Sequence, residues 1–319
     1  MADILTLGEL LIDLTQTGTD DNGCGVFTAF PGGAPANVAV AAARLGASTG
    51  FIGKVGNDAF GKSLAETLKK EGVDTSGLYA SDEVPTTLAI VAVDEKGERE
   101  FSFYRTPGAD TQLTQEEATA ALKGADGKYP LILHVGSLSL TTSPSKEACA
   151  AAILKAKENG VLISYDPNYR AALWESEEKA IEMMKEVLPY ADVLKVSDEE
   201  MVMLTGTSDF EEGSRILASN GISLVLITLG ADGVFVRCGE NTETIPGFSV
   251  KVADTNGAGD TFHGAMLRQL ADKMKSENSE LTFDDLRGYV TYANKAASIT
   301  CSRSGAIPAM PTADEVAAD

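Results

Sequence analysis

From residue 131 to residue 300 the chain repeats one alternation that few folds accept. Apolar runs at 131–135, 162–166, 192–196 and 224–229 have the length of buried strands rather than of helices. Longer stretches with helix punctuation separate them. One follows Pro144 and ends before Gly160, Ser176 caps 177–188, and S-D-E-E opens another at Ser197. Strands and helices in strict alternation build a mostly parallel sheet with helices on both faces, the Rossmann-like α/β arrangement.

The N-terminal third extends the pattern and interrupts it. Residues 4–14 form an apolar run that carries Glu9 and ends near Asp13, which reads as one buried strand delivering Asp13 to the sheet edge. An Asp in that place is also a common turn former. Pro35 and Gly46 bracket an Ala-rich helix with Asn37 in its first turn. Gly32 and Gly33 precede it, either for tight packing or to bring backbone against a ligand. Thr114 and Glu117 spell a capping box for a helix to Leu122. Residues 86–104 depart from the rhythm: two alternating runs flank Glu95-Lys96-Gly97, a β-hairpin. With 26–30 it makes a small separate sheet, suited to a lid over a site and equally to a dimer surface.

Two glycine-rich stretches compete as anion sites. Residues 56–63, G-N-D-A-F-G-K-S, satisfy the phosphate-loop pattern G-x-x-x-x-G-K-S/T between an expected strand at 49–55 and an expected helix at 60–71. Asp58 then sits among the amides meant for phosphate, and Phe60 is bulky for such a loop. The other stretch, D-T-N-G-A-G-D-T-F-H-G-A at 254–265, is better equipped. Gly257, Ala258 and Gly259 leave backbone N–H groups open ahead of a helix at 261–273, where the helix dipole favours an anion. Asp260 in that place suits a base that takes a proton from a hydroxyl while the amides hold a migrating phosphoryl group.

Composition removes other classes. A net charge of -21 argues against nucleic acid and anionic membranes as partners. Cys24, Cys149, Cys238 and Cys301 are widely spaced with no C-x-x-C pair, as expected of reduced cysteines in a cytoplasmic protein. The first residues carry neither a signal-peptide pattern nor an apolar span. His134 and His263 are the only histidines, too few for most His-built metal sites or triads. No G-x-G-x-x-G follows the first strand, so a nicotinamide dehydrogenase is not expected.

With these residues in view, the chain resembles the ribokinase-like (PfkB) family of sugar and nucleoside kinases, and within it the fructokinases. The C-terminal signature D-T-x-G-A-G-D-x-F is met at 254–262, and the N-terminal one by G-G-A-P-A-N and by G-K-V-G-N-D-A-F-G at 53–61. The resemblance covers nearly the whole chain. It implies one kinase domain over 1–319, with a β lid formed by about 15–31 and 84–106. It implies transfer of the γ-phosphoryl group of ATP to a primary sugar hydroxyl, with fructose 6-phosphate as the expected product. A ketodeoxygluconate or other sugar kinase is the alternative within the family, and a catalytically silent binding protein the alternative outside it.

By the same resemblance Asp260 is the base, and Gly257, Ala258 and Gly259 shape the anion hole. Asp13, Gly32, Gly33 and Asn37 face the sugar, and Tyr104, Arg105 and Arg170 face the sugar or the transferring phosphate. Lys195, Thr228, Gly230, Gly233, Gly257, Gly259 and Asn294 lie on the ATP side. Glu200 helps to hold hydrated magnesium, although Ser197 stands where the family's N-x-x-E motif has Asn. Potassium is implied beside the anion hole, on backbone oxygens near Asp254, Asn256, Thr300, Arg303 and Gly305. A homodimer through the lid is expected.

Overall fold

The computed structural model describes residues 2–93, 99–124, 126–277 and 280–318. β1 (Ile4–Leu7), β2 (Leu11–Thr19) and β3 (Gly25–Gly32) lead into α1 (Ala34–Arg44), β4 (Thr49–Gly56), α2 (Ala59–Lys70) and β5 (Asp74–Ser81). The pair β6 (Leu88–Val93) and β7 (Arg99–Tyr104) follows, then α3 (Gln115–Ala121), β8 (Ile132–Gly136), α4 (Ser145–Glu158) and β9 (Leu162–Asp166). Next come α5 (Glu177–Val187), β10 (Val193–Ser197), α6 (Asp198–Thr205), α7 (Phe210–Ala218) and β11 (Leu224–Thr228). The chain continues through β12 (Val234–Cys238), β13 (Asn241–Ile245), α8 (Ala258–Lys275), α9 (Phe283–Cys301) and α10 (Ala313–Ala317).

Nine strands form one sheet in the order β13-β12-β11-β10-β9-β8-β1-β4-β5. Every pairing from β11 to β5 is parallel, and only the pairings of β12 with β11 and with β13, at one edge, are antiparallel. Buried parallel strands are apolar on both faces, and side chains two residues apart share a face. Thus Leu133 and Val135 of β8 pack in the layer of Ala152 (α4), Met184 (α5) and Met201 (α6). Their neighbour Ile132 packs with Met266 (α8) and Ala293 (α9) on the other side. Helices therefore cover both faces, as the alternation predicts.

Local chemistry sets the helix ends. Thr114 with Glu117, Ser197 with Glu200, and Thr282 with Asp285 form capping boxes that satisfy first-turn amides in pairs. The start of α1 is set by Gly33, whose φ of 110° favours glycine. A Cβ there would also lie 2.3 Å from the Glu9 carbonyl oxygen. The Ala-rich face of α1 then packs on α8 as well as on the sheet. A Cβ on Gly264 would come within 2.8 Å of the Ala41 Cβ and the Val38 carbonyl oxygen, so the two helices meet almost backbone to backbone. This close approach brings Asn37 to Asp260.

The apolar run at 4–14 is not one strand. It breaks after Leu7, and β2 leaves the large sheet to form a second one in the order β3-β2-β6-β7. Asp13 therefore comes from the small sheet, not from the edge of the large one, and that sheet begins at Leu11 rather than near 15. β2 pairs antiparallel with β3 and parallel with β6, so it ties the expected hairpin of β6 and β7 to the 26–30 run. The hairpin's turn at Glu95-Lys96-Gly97 lies outside the described residues.

Candidate active site

Two cavities meet along the first turn of α8. One, of about 320 Å³, is lined by Asp13, Gly33, Asn37, Arg170, Gly257 and Asp260, with Leu11, Ala89, Val91 and Phe103 of the small sheet as an apolar wall. The other, of about 440 Å³, is lined by Thr228, Gly230, Gly233, Gly259 and Asn294 together with Phe248, Val250 and Val252. Each is the size of a small-molecule site. They share a boundary at residues 257–260: Gly257 and Asp260 line the first, Ala258 and Gly259 the second.

The boundary has the chemistry of an anion site. Gly257 adopts φ 75° at the N-cap, and no side chain caps the helix. A Cβ on Gly257 would touch Ala306 at 3.0 Å, so the turn is shaped for glycine twice over. The Lys195 ammonium lies close beneath: a Cβ on Gly259 would sit 3.1 Å from its Nζ. Asp166 holds that ammonium at 2.8 Å in a buried ion pair. Burial alone pushes the Asp166 carboxyl up and the Lys195 ammonium down, but their mutual attraction reverses both, so Asp166 stays an anion and Lys195 a cation.

Asp260 is tuned in the opposite sense. Burial pushes its carboxyl up to about 6, and the negative charge of Asp166 adds to the rise. The Asn37 amide donates to Asp260 Oδ2 at 2.8 Å and, with Lys195 and Arg170, limits the rise. Asp13 is likewise raised to about 6 by burial, opposed by Arg170 and reinforced by Asp260. A Cβ on Gly32 would lie 2.2 Å from Asp13 Oδ2, so a side chain there would displace the carboxylate. Such a group is a carboxylate at neutral pH yet basic enough to accept a proton.

Two expected sugar-side residues are placed elsewhere. Tyr104 is 64% exposed and lines neither cavity, because strand alternation turns its neighbour Phe103 inward. Arg105 is buried and spent on structure. Its guanidinium donates to Asp110 at 2.7 Å, to Thr141 Oγ1 at 2.7 Å and to the Leu138 carbonyl at 2.8 Å. Arg170 does line the first cavity.

On the nucleotide-side cavity, Asn294 donates to the Pro246 carbonyl at 3.0 Å and so fixes the start of the 246–252 segment. Phe248, Val250 and Val252 of that segment belong to no motif in the sequence, where the P-G pair at 246–247 is the one local signal. Glu200 is buried, and each of its carboxylate oxygens accepts one backbone N–H, from Tyr169 at 2.7 Å and from Ser197 at 2.8 Å. Ser197 has a local reason to stand where the family has Asn: its hydroxyl accepts from the Glu200 N–H and completes the box. No group of three or more His, Cys, Asp and Glu side chains suited to a metal occurs among the described residues. Glu200 therefore fits magnesium only as a partner through water, for an ion that keeps its waters and arrives on phosphates.

The loop at 254–256 abuts the segment after α9. Asp254 Oδ2 accepts from the Gly305 N–H at 3.2 Å, and Asp254 Oδ1 from the Asn256 N–H at 3.1 Å. The Thr300 carbonyl accepts from the Arg303 N–H at 3.1 Å, while the Arg303 guanidinium turns outward to Glu315. The 254–256 loop is thus tied to the 300–305 segment beside the α8 turn.

The phosphate-loop lookalike at 56–63 is no anion site. Asp58 caps α2 and fills the place of the anion: Oδ1 accepts from the Gly61 N–H and the Thr86 hydroxyl, Oδ2 from the Thr86 N–H, each at 2.8 Å.

Comparison with known proteins agrees with this geometry. The model of the pfkB family carbohydrate kinases matches residues 1–313. Fructokinase-2 of Solanum lycopersicum is 41% identical over 315 residues, covering 98% of this chain and 94% of the relative. A crystal structure of Xylella fastidiosa fructokinase with bound ATP superposes with a TM-score of 0.89 at 33% identity, covering 99% of this chain and 98% of that one. A double-mutant fructokinase of Vibrio cholerae O395, with fructose, ADP and potassium bound, gives a TM-score of 0.87 at 35% identity, covering 99% and 97%. With the cavities, the uncapped α8 turn and Asp260 arranged as they are, the chain belongs to the pfkB family of carbohydrate kinases.

Proposed function

We infer that this sugar phosphotransferase is an ATP-dependent fructokinase converting D-fructose to fructose 6-phosphate. The observation that carries the site assignment is the meeting of two cavities across residues 257–260, with Asp260 on one side and open glycine backbone on the other. Fructose binds in the cavity of Asp13, Asn37 and Arg170, its apolar face toward Val91 and Phe103. ATP binds in the cavity of Thr228, Gly233 and Asn294, with its terminal phosphate at the α8 turn and near Lys195. Asp260 accepts the proton of the sugar hydroxyl as that oxygen bonds to the γ-phosphorus. The bond from the γ-phosphorus to the bridging oxygen breaks, and ADP leaves with the electron pair. The amides of the turn and the helix dipole stabilise the charge on the transferring oxygens.

Magnesium, when bound, neutralises nucleotide phosphate charge, and Glu200 is the side chain that would face its water shell. Potassium suits the backbone oxygens between Asp254 and Gly305, where it would shape the anion hole without touching substrate. The small sheet serves as the lid of a single domain. Its exposed Val26, Phe27 and Tyr104 support a homodimer through that surface. No helix among the described residues is long and apolar enough to cross a membrane.

The test is an ADP-release assay across fructose, glucose, ribose, adenosine and ketodeoxygluconate. Fructose should give the highest kcat/KM. A higher value for any other acceptor overturns the substrate assignment.

A further inference from the structure

Behind the ion pair of Asp166 and Lys195 lies a buried polar chain that the mechanism above does not use. His134 on β8, Ser164 on β9 and His263 on α8 are all buried, each 1% exposed or less. His134 and Ser164 stand side by side in the parallel register, and Asp166 follows Ser164 by two on the same face of β9. Ser164 Oγ is 3.1 Å from His134 Nδ1 and 2.7 Å from His263 Nε2. His263 Nδ1 makes no hydrogen bond, and the Asp166 Oδ2 that holds Lys195 lies 3.7 Å away, a charge–dipole contact.

Proton bookkeeping in this chain has one consistent solution. Burial lowers the pKa of both histidines, so each is neutral with a single N–H. A carboxylate facing Nδ1 of His263 favours the proton on that nitrogen, since a lone pair there would repel it. Nε2 of His263 is then an acceptor and takes the Ser164 hydroxyl proton. The Ser164 oxygen in turn accepts from His134 Nδ1–H. Every donor in the run points toward Asp166, and its positive edge ends on the carboxylate that anchors Lys195.

We propose that His263 is a positioning residue for phosphoryl transfer: its Nδ1–H steadies the Asp166 carboxylate, which holds the Lys195 ammonium against Gly259 at the α8 turn. Asp166 has Lys195 on Oδ2 and the Asn168 N–H on Oδ1 at 3.1 Å, and His263 supplies the one further dipole from α8 itself. His263 lies one turn beyond Asp260, so a single helix carries the base and the steadying group of the opposing cation. This rests on the reading of Lys195 as a phosphate-side group.

The experiment compares His263→Phe, His263→Asn and Lys195→Met with the full-length enzyme. Phe keeps bulk and removes the donor; Asn places a side-chain N–H near the position of Nδ1. His263→Phe should lower kcat by about tenfold to a hundredfold, as expected for loss of a dipole to a charged group. Fructose KM should stay within about twofold, because the sugar does not touch this chain. His263→Asn should recover most of kcat although it loses the Ser164 contact equally. A purely structural role predicts the same deficit in both variants, or a deficit in both KM values, and either result overturns the proposal. So does His263→Phe at wild-type kcat. If Lys195→Met itself keeps wild-type kcat, the reading of the site is at fault rather than the role of His263. Nitrogen-15 spectra of the wild-type histidines need no activity. A protonated Nδ1 and bare Nε2 on His263 support the chain, and the opposite tautomer sinks it.

Discussion

The two glycine-rich helix starts, α2 and α8, use an aspartate in opposite ways. At α2 the aspartate is the N-cap: Asp58 has extended backbone angles that let its carboxylate fold back onto the Gly61 amide. Three donors satisfy it, and although burial raises the Asp58 carboxyl, the Thr86 and Gly61 N–H groups outweigh that and lower it. At α8 the N-cap is a glycine and the aspartate is the third helical residue, turned away to Asn37 of α1. Asp260 forgoes most of that solvation, and burial raises it to about 6. The first arrangement consumes an anion site to stabilise a helix. The second leaves one open and places a base beside it. A sequence pattern of glycines cannot distinguish them, but the offset of the acid from the helix start can.

The largest effect expected of this contrast is on turnover. Asp260→Asn keeps shape and much of the hydrogen bonding but removes the base, so kcat should fall by about 10²–10⁴-fold with ATP affinity largely kept. Stability should move the other way. The Asp260 pKa rises on folding from 3.8 to about 6, so stability from this group is fully present below 3.8 and lost as pH rises through about 6. Asp260→Asn should therefore be more heat-stable than wild type at pH 8, by an amount on the order of 3 kcal/mol, and close to it near pH 4. Melting curves at the two pH values and steady-state kinetics measure both. A variant that loses stability at pH 8 would mean that Asp260 is an ordinary structural acid like Asp58.

Asp13 sharpens the picture within the α8 cavity, since its carboxyl is raised by the same burial and by Asp260 itself. Asp13→Ala leaves sugar hydroxyls unpaired, at about 1–3 kcal/mol per partner, or roughly fivefold to 150-fold in fructose affinity. ATP affinity should change little. Calorimetric titration of each ligand separates the two, and equal weakening would point to a collapsed cavity.

At α2 the expectation is a loss of stability alone. Asp58→Ala removes an N-cap, costing about 0.5–2 kcal/mol, and leaves kcat unchanged. Because the Asp58 pKa is depressed on folding, this stability is present above the unfolded value of 3.8 and fades as pH falls through the folded one. Both gaps should thus narrow in acid but with opposite signs: wild type is more stable than Asp58→Ala at neutral pH and less stable than Asp260→Asn. Denaturant melts at pH 7 and pH 3 compare them.

Much of this was legible because periodicity is local. Most strands of the large sheet and most helices follow from apolar spacing and caps, though the edge strand β5, D-T-S-G-L-Y-A-S, carries no apolar run to announce it; residues 257–260 carry their chemistry within one turn. The break after Leu7 was hidden, since the apolar run continues through it into a different sheet. Tyr104 and Arg105 were misplaced for another reason. Strand phase decides which of Phe103 and Tyr104 faces inward, and the partners of Arg105 at 110, 138 and 141 come together only on folding. The alignment of His134, Ser164 and His263 depends on register between β8 and β9 and on the seating of α8. No single segment encodes it.

The smallest expected effect is the one that most directly separates the two helix starts. Lys62 completes the phosphate-loop pattern, and a working loop of that kind uses its lysine on the transferring phosphates. Here Lys62 is exposed on α2, behind amides that Asp58 has already engaged. Lys62→Ala should change stability by no more than about ±0.5 kcal/mol, the usual range for a surface site. Its kcat and ATP affinity should match wild type in the same assays used for Asp260→Asn. Should Lys62→Ala be inactive while Asp260→Asn turns over normally, catalysis belongs to α2 and the roles assigned around α8 fall together. Inactivity of both variants would instead place a phosphate contact at each helix start, in conflict with the Asp58 carboxylate that already holds the Gly61 amide.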